Sequence, residues 1–216
     1  MFSVAVIDYG MGNLHSISKA LQHVSKDTEV WVTSDPQKIF EADRVVFPGV
    51  GAIRDCMQSL RRLDLVDVIT KVANEKPFLG ICLGLQALLN DSEESPDSNC
   101  LGLFPGSVLR FKEPLLNTRN EVLKVPHMGW NNVSQVTDHP LWNKIPQNSR
   151  FYFVHSYYAS VTDASKIAAS ANYPIPFTCA LAANKLFAVQ FHPEKSQSAG
   201  LQLLANFLAW DGVCER

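Results

Sequence analysis

Pro77-Phe78-Leu79-Gly80-Ile81-Cys82-Leu83-Gly84-Leu85-Gln86-Ala87-Leu88-Leu89 decides the fold of this chain. Pro77–Ile81 is an apolar run of a strand's length, and Leu83–Leu89 reads as a helix entered through a very tight turn. Between them stands Gly80-Ile81-Cys82-Leu83-Gly84, the form Gly-x-nucleophile-x-Gly. In a nucleophile elbow the central residue occupies a sharp, strained strand-to-helix turn, and the flanking glycines allow close backbone approach. The side chain is pushed toward solvent, beside amide N–H groups at a helix N-terminus that can hold an oxyanion, and the helix dipole favours thiolate. The competing reading is a buried cysteine in an apolar run. The whole stretch is too short, and too interrupted by Gln86, to span a bilayer.

Outward from the elbow, strand and helix alternate. Residues 2–8 form an apolar strand closed by Asp8-Tyr9-Gly10, and Asn13 caps a helix carrying Leu14, Ile17, Leu21 and Val24. Thr28–Thr33 reads as a strand, Asp35-Pro36 as a helix start and Arg44–Phe47 as a strand stopped by Pro48-Gly49. Helical patterns follow through Met57 and Leu60, then through Val66, Ile69 and Val72. This alternation predicts an α/β fold, a mostly parallel mixed sheet with helices on both faces in a three-layer domain. After about residue 100 the rhythm changes to strands at Val108–Phe111, Val122–Val125, Phe151–Val154 and Leu186–Phe191, which are expected to add hairpins and mixed strands to the same sheet. A last amphipathic helix carries Gly200, Leu201, Leu204 and Leu208, and the polar stretch Asp91–Asn99 reads as a surface loop.

Composition narrows the class. The chain has 216 residues, a net charge of −2, 46% hydrophobic and 19% charged residues. That excludes disorder, collagen-like repeats and coiled coil, and it fits one domain over residues 1–216 with its own core. The small net charge argues against a nucleic-acid binder that depends on a basic field. Cys56, Cys82, Cys100, Cys179 and Cys214 are odd in number and include no Cys-x-x-Cys, so neither a zinc site nor a dithiol is suggested. Unpaired thiols and the absence of signal-peptide features at the N-terminus predict a cytoplasmic protein.

A cysteine nucleophile needs a base, and the base needs an orienting group. His192-Pro193-Glu194 offers both: extended geometry ahead of proline would put Glu194 on the side of the His192 imidazole. Alone, the segment reads more simply as a strand-end histidine with a surface glutamate. His15 and His23 read as surface residues on the first helix, His139 as a turn residue, and His127 and His155 as weaker bases without a matched carboxylate. Pro48-Gly49-Val50-Gly51 could turn a second oxyanion donor toward the site. It is no phosphate-binding loop, since no Gly-Lys-Ser/Thr follows.

The elbow with Gln86, the Pro48–Gly51 segment and His192-Pro193-Glu194 resemble the class I (triad) glutamine amidotransferases. Asp8-Tyr9-Gly10-Met11-Gly12-Asn13-Leu14, Pro126-His127-Met128-Gly129-Trp130-Asn131 and His192-Pro193-Glu194-Lys195-Ser196 resemble, more narrowly, the branch of that family that serves imidazole glycerol phosphate synthesis. The likeness runs in one order from residue 2 to about 208. It implies a class I amidotransferase domain with a flavodoxin-like core, in which Cys82, His192 and Glu194 are catalytic and no cofactor or metal is needed. It further implies oxyanion donors at Val50, Gly51 and Leu83, and glutamine contacts at Gly49, Gln86, Glu94, Ser156 and Tyr157. The partner it implies is a (β/α)8 cyclase subunit, forming a heterodimer and met through Asn13, Met128, Trp130, Asn131 and Lys195. A paralogue feeding ammonia to a sugar-amidating partner shares these motifs. Other readings are a glutaminase of pyridoxal phosphate synthesis, a binding module with a dead triad, and a cysteine peptidase.

Overall fold

The computed structural model describes residues 2–117 and 119–213, so Cys214 lies outside the described residues. Its first half winds β1 (Phe2–Ile7), α1 (Leu14–Val24), β2 (Thr28–Thr33), α2 (Pro36–Glu41), β3 (Arg44–Gly49), α3 (Ile53–Arg62), α4 (Leu65–Glu75), β4 (Phe78–Cys82) and α5 (Leu83–Gln86). The second half adds β5 (Asp91–Ser92), β6 (Gly106–Arg110), β7 (Leu115–Leu116), β8 (Val122–Leu123), β9 (His127–Asn132), β10 (Ser134–Gln135), β11 (Arg150–His155) and β12 (Tyr157–Val161). It closes with β13 (Ile167–Asn172), β14 (Pro176–Ala183), β15 (Leu186–Val189) and α6 (Gln197–Ala209).

The main sheet runs β2-β1-β3-β4-β15-β14-β12-β6-β5, with β13 beside β14 and β10 beside β13. The five strands from β2 to β15 are parallel; β14 pairs antiparallel with β15, β12 and β13 pair antiparallel with β14, and β10 pairs antiparallel with β13. Alternate side chains of the parallel strands serve opposite faces. Val4, Val6, Val46 and Ile81 pack with α1 and α6 in one core, while Ala5, Ile7, Phe47 and Phe78 pack with α2, α3 and α4 in the other. These are the two outer layers of an α/β fold. In such sheets the crevice beyond the carboxyl ends of the strands is where ligands bind.

Three sequence readings change. The elbow helix stops at Gln86, one turn long, because the carbonyls of Ala87, Leu88 and Leu89 accept the amides of Leu101, Phe104 and Gly102 instead of continuing the helical ladder. A four-residue helix has little macrodipole, so its unpaired first-turn amides, rather than the dipole, are its electrostatic contribution at Cys82. Asp91–Asn99 is only partly a surface loop. It opens as edge strand β5 on β6, and Ser92 and Ser95 are buried. Finally, β9 and β11 leave the main sheet and form their own antiparallel pair, with His127 opposite His155 and Asn132 opposite Arg150.

Candidate active site

The carboxyl ends of β3 and β4 lie side by side in the ladder, with Gly49 opposite Cys82. Cys82 adopts φ 55° and ψ −108°, a conformation that L-residues rarely hold and that aims the side chain out of the strand line. Gly80 and Gly84 make that turn feasible. A Cβ on Gly84 would overlap the carbonyl of Phe47, and one on Gly80 would crowd Ala188 and Leu88 at 3.1 Å.

His192 follows the end of β15, which is parallel to β4. Its amide donates to the Tyr152 carbonyl (2.9 Å), and the Ser196 hydroxyl donates to its carbonyl (2.6 Å) while accepting from the Tyr152 amide (2.9 Å). Pro193–Lys195 is a 3-10 turn, so the approach of Glu194 to His192 comes from a turn rather than from the extended chain expected through residue 194. Nδ1 of His192 lies 2.8 Å from Glu194 Oε1, and both side chains are almost wholly buried. A carboxylate can only accept, so the proton sits on Nδ1 and Nε2 is left free. Nε2 has no hydrogen bond of good geometry, nor has Glu194 Oε2. Burial opposes charge on the His192 ring, but pairing with Cys82 and then with Glu194 outweighs it, and the imidazolium is held well above its ordinary range.

A cavity of about 230 Å³ opens beside these groups, lined by Val50, Gly51, Cys82, Leu83, Gln86, Glu94, Val154, His155, Ser156, Tyr157 and His192. It gathers residues from β4, α5, β11 and the loops after β3 and β5. Gly49 is not on its wall: it lies beneath, against the Tyr9 hydroxyl and Leu83, where a Cβ would clash. Glu94 turns inward because its Oε2 accepts the amide of Ile53 at the start of α3 (2.8 Å). Glu93, by contrast, faces outward and accepts the Arg110 amide (2.6 Å).

Two features of the site escaped the sequence. Gln190, fully buried, donates from Nε2 toward Cys82 Sγ (3.6 Å) and accepts from Gln86 Nε2 (3.0 Å). Its only signal was a polar residue interrupting the apolar run Leu186–Phe191. His127 and His155 pair with each other, Nδ1 to Nε2 at 2.9 Å, and His155 Nδ1 donates to the Tyr157 carbonyl (2.7 Å). Asn131 Nδ2 lies 3.3 Å from His127 Nε2, so every ring nitrogen is engaged. Burial pushes these imidazoles down to about 4 and about 3, respectively, and neither has a nitrogen free to act as a base.

The expected contact residues divide. Met128, Trp130 and Lys195 are exposed, with Lys195 Nζ 5.9 Å above the Tyr152 ring and Arg150 6.0 Å above Trp130. Asn131 lies on the other face of β9 from Trp130, its amide turned to His127 and to the Asn172 carbonyl (2.9 Å). Asn13 is exposed and caps α1 through the Ser16 amide (3.3 Å).

A thiol on a strained elbow, an imidazole oriented by a carboxylate and a lined cavity at the strand ends are the groups that acyl transfer through a cysteine requires. Residues 5–210 match the family model of glutamine amidotransferase class-I. The chain is 62% identical over 212 residues to imidazole glycerol phosphate synthase subunit HisH of Methylococcus capsulatus, covering 98% of each chain. It is 61% identical to the subunit of the same name from Nitrosococcus oceani, covering 99% of this chain and all of that one (100%). Among solved structures, PurLQS from Thermotoga maritima shares the fold with a TM-score of 0.72 at 18% identity, covering 97% of this chain and 99% of that chain. The chain belongs to the class I glutamine amidotransferases, which hydrolyse glutamine, and within them to the HisH subunits.

Proposed function

We propose that this chain is the glutaminase subunit of an imidazole glycerol phosphate synthase in histidine biosynthesis, with Cys82, His192 and Glu194 as its catalytic residues. The observation that carries the reading is the meeting of Cys82, at the end of β4, with the Glu194-oriented His192 beyond β15, on one cavity. In this reading His192 takes the Sγ proton and the thiolate attacks the side-chain amide carbon of L-glutamine. The amides of Leu83 and of Val50 or Gly51 receive the developing oxyanion. His192 then protonates the leaving nitrogen, ammonia departs, and a glutamyl thioester remains. Water, deprotonated by His192, attacks the thioester carbonyl, and glutamate leaves as Cys82 regains its proton. Gln86, Glu94 and the backbone at Ser156 and Tyr157 hold the substrate.

Ammonia protonated in bulk water is not nucleophilic, so a glutaminase serves synthesis best when its product passes directly to an acceptor site. The names of the relatives support a synthase partner, and we assign to it a (β/α)8 cyclase bound through the Met128, Trp130 and Lys195 surface with Asn13 nearby. A cytoplasmic location fits that biosynthetic role. The domain spans residues 1–216 in this reading. The test is glutamine turnover with and without the cyclase and its phosphorylated ligand, together with Cys82→Ala. That variant is expected to lose glutamine-dependent synthesis and to keep ammonia-dependent synthesis by the complex. Loss of both would assign Cys82 a structural role, and amination of a sugar by the co-purifying partner would reassign the pathway.

A further inference from the structure

Gln190 is a fully buried polar side chain that meets the nucleophile, and the triad leaves it without a role. Which end of its amide faces the sulfur follows from a chain of constraints that begins at a backbone group. The carbonyl of Tyr157 can only accept, so the Gln86 group 3.2 Å from it is the NH2. The second hydrogen of that NH2 points to Gln190, 3.0 Å away, so the Gln190 atom receiving it is the carbonyl oxygen. The remaining end of Gln190, its NH2, is therefore the group turned to Cys82 Sγ at 3.6 Å. Reversing either amide would set two acceptors or two donors against each other between buried side chains, which costs the desolvation of both groups.

From this we propose that Gln190 is a fixed hydrogen-bond donor to the Cys82 sulfur, a further catalytic contact for the glutamine hydrolysis assigned above. A thiolate is a far better acceptor than a thiol, so a donor held at this distance favours the nucleophilic form. The same contact has a steric consequence. With an N–H occupying one side of the sulfur, the Cys82 S–H hydrogen cannot point toward Gln190. It is left to the cavity that Cys82 shares with His192. When the thioester forms, the sulfur loses its charge and the Gln190 contact weakens, so the donor stabilises the attacking and leaving sulfur more than the acylated one. Gln86 has a second task here, since both its amide hydrogens are spent on Tyr157 and Gln190 and only its carbonyl oxygen remains for the cavity.

The test uses the intact chain with Gln190→Met and Gln190→Glu. Met fills nearly the same volume with no donor. Glu matches the shape of Gln but is acceptor-only when ionised. Two quantities are read at pH 8: the rate of Cys82 alkylation by iodoacetamide, resolved from the other cysteines by peptide mapping, and kcat and KM for glutamine in the complex with the cyclase and its phosphorylated ligand. The expected order is wild type, then Met, then Glu, with alkylation and kcat falling roughly ten-fold for Met and further for Glu, consistent with loss of a charge-assisted hydrogen bond. KM should move much less. A space-filling role predicts the reverse order, with Glu the milder change, and that result would overturn the proposal. So would an unchanged alkylation rate in whichever variant remains folded by circular dichroism. Alkylation does not depend on glutamine, so wild-type protein that is alkylated but turns over no glutamine even with the cyclase and its phosphorylated ligand would refute the glutaminase reading. The order of the variants would still decide the contact.

Discussion

Gly84 lies with its Cα against the Phe47 carbonyl oxygen, so closely that a methyl group in place of its hydrogen would overlap that oxygen. This contact lets the elbow nest against β3, whose next residues are the Pro48–Gly51 segment. Gly84→Ala is therefore expected to destabilise the protein by roughly 2–3 kcal/mol, because the obstacle is backbone and cannot rotate away. Urea unfolding measures it, and a loss below about 0.5 kcal/mol would mean that the elbow and β3 separate easily.

Glu194 and His192 give a kinetic prediction. Glu194→Gln keeps the shape but removes the charge that holds the Nδ1 proton in place. Glutamine kcat should fall roughly 10²-fold or more, with KM altered by less than about three-fold. Equal losses in kcat and in thermal stability would instead mark Glu194 as part of the scaffold.

Acid stability follows from the buried neutral histidines. Burial depresses His127 and His139 to about 4 and His155 to about 3. The unfolded chain, with ordinary imidazoles, binds more protons between about pH 4 and 6.5. Stability is therefore full above pH 6.5 and is lost as pH falls through that window, on the order of 1–2 kcal/mol per histidine at pH 5. Comparing urea midpoints at pH 7.5 and 5.0 measures this. His139→Asn, which keeps an acceptor for the Leu141 amide but does not titrate, should show a smaller drop; an equal drop would place the loss elsewhere.

Trp130 stands on β9 beside Arg150 and Tyr152 with its ring partly exposed. If it anchors the cyclase, Trp130→Ala should weaken assembly by about 2 kcal/mol, near thirty-fold in Kd. Titration calorimetry with the cyclase subunit reads this directly, and unaltered affinity would move the interface off β9.

The strand–helix alternation of the first half, the elbow around Cys82 and the residue types that meet there are local patterns. Backbone periodicity, a proline, a cap or a glycine pair is set within a few positions of itself, so these features were legible in the chain. The motif around Trp130 was legible too, but not that it lies on strand β9 with Met128 and Trp130 on one face. The sequence alone could not turn Asn131 inward from that strand, end the elbow helix at Gln86 or bring Glu94 under α3. Those outcomes depend on carbonyls and amides supplied by distant segments. Gln190 and Cys82 are 108 residues apart in sequence, and Gln86 and Tyr157 are 71 apart. Their contacts exist only because β15 lies parallel to β4 in one register and because Tyr157 begins β12 beside the cavity. Sequence determined which groups this protein has for cleaving an amide. Only the tertiary structure decided which way the buried amides point, because each orientation is fixed by the next acceptor in space rather than by the next residue in the chain.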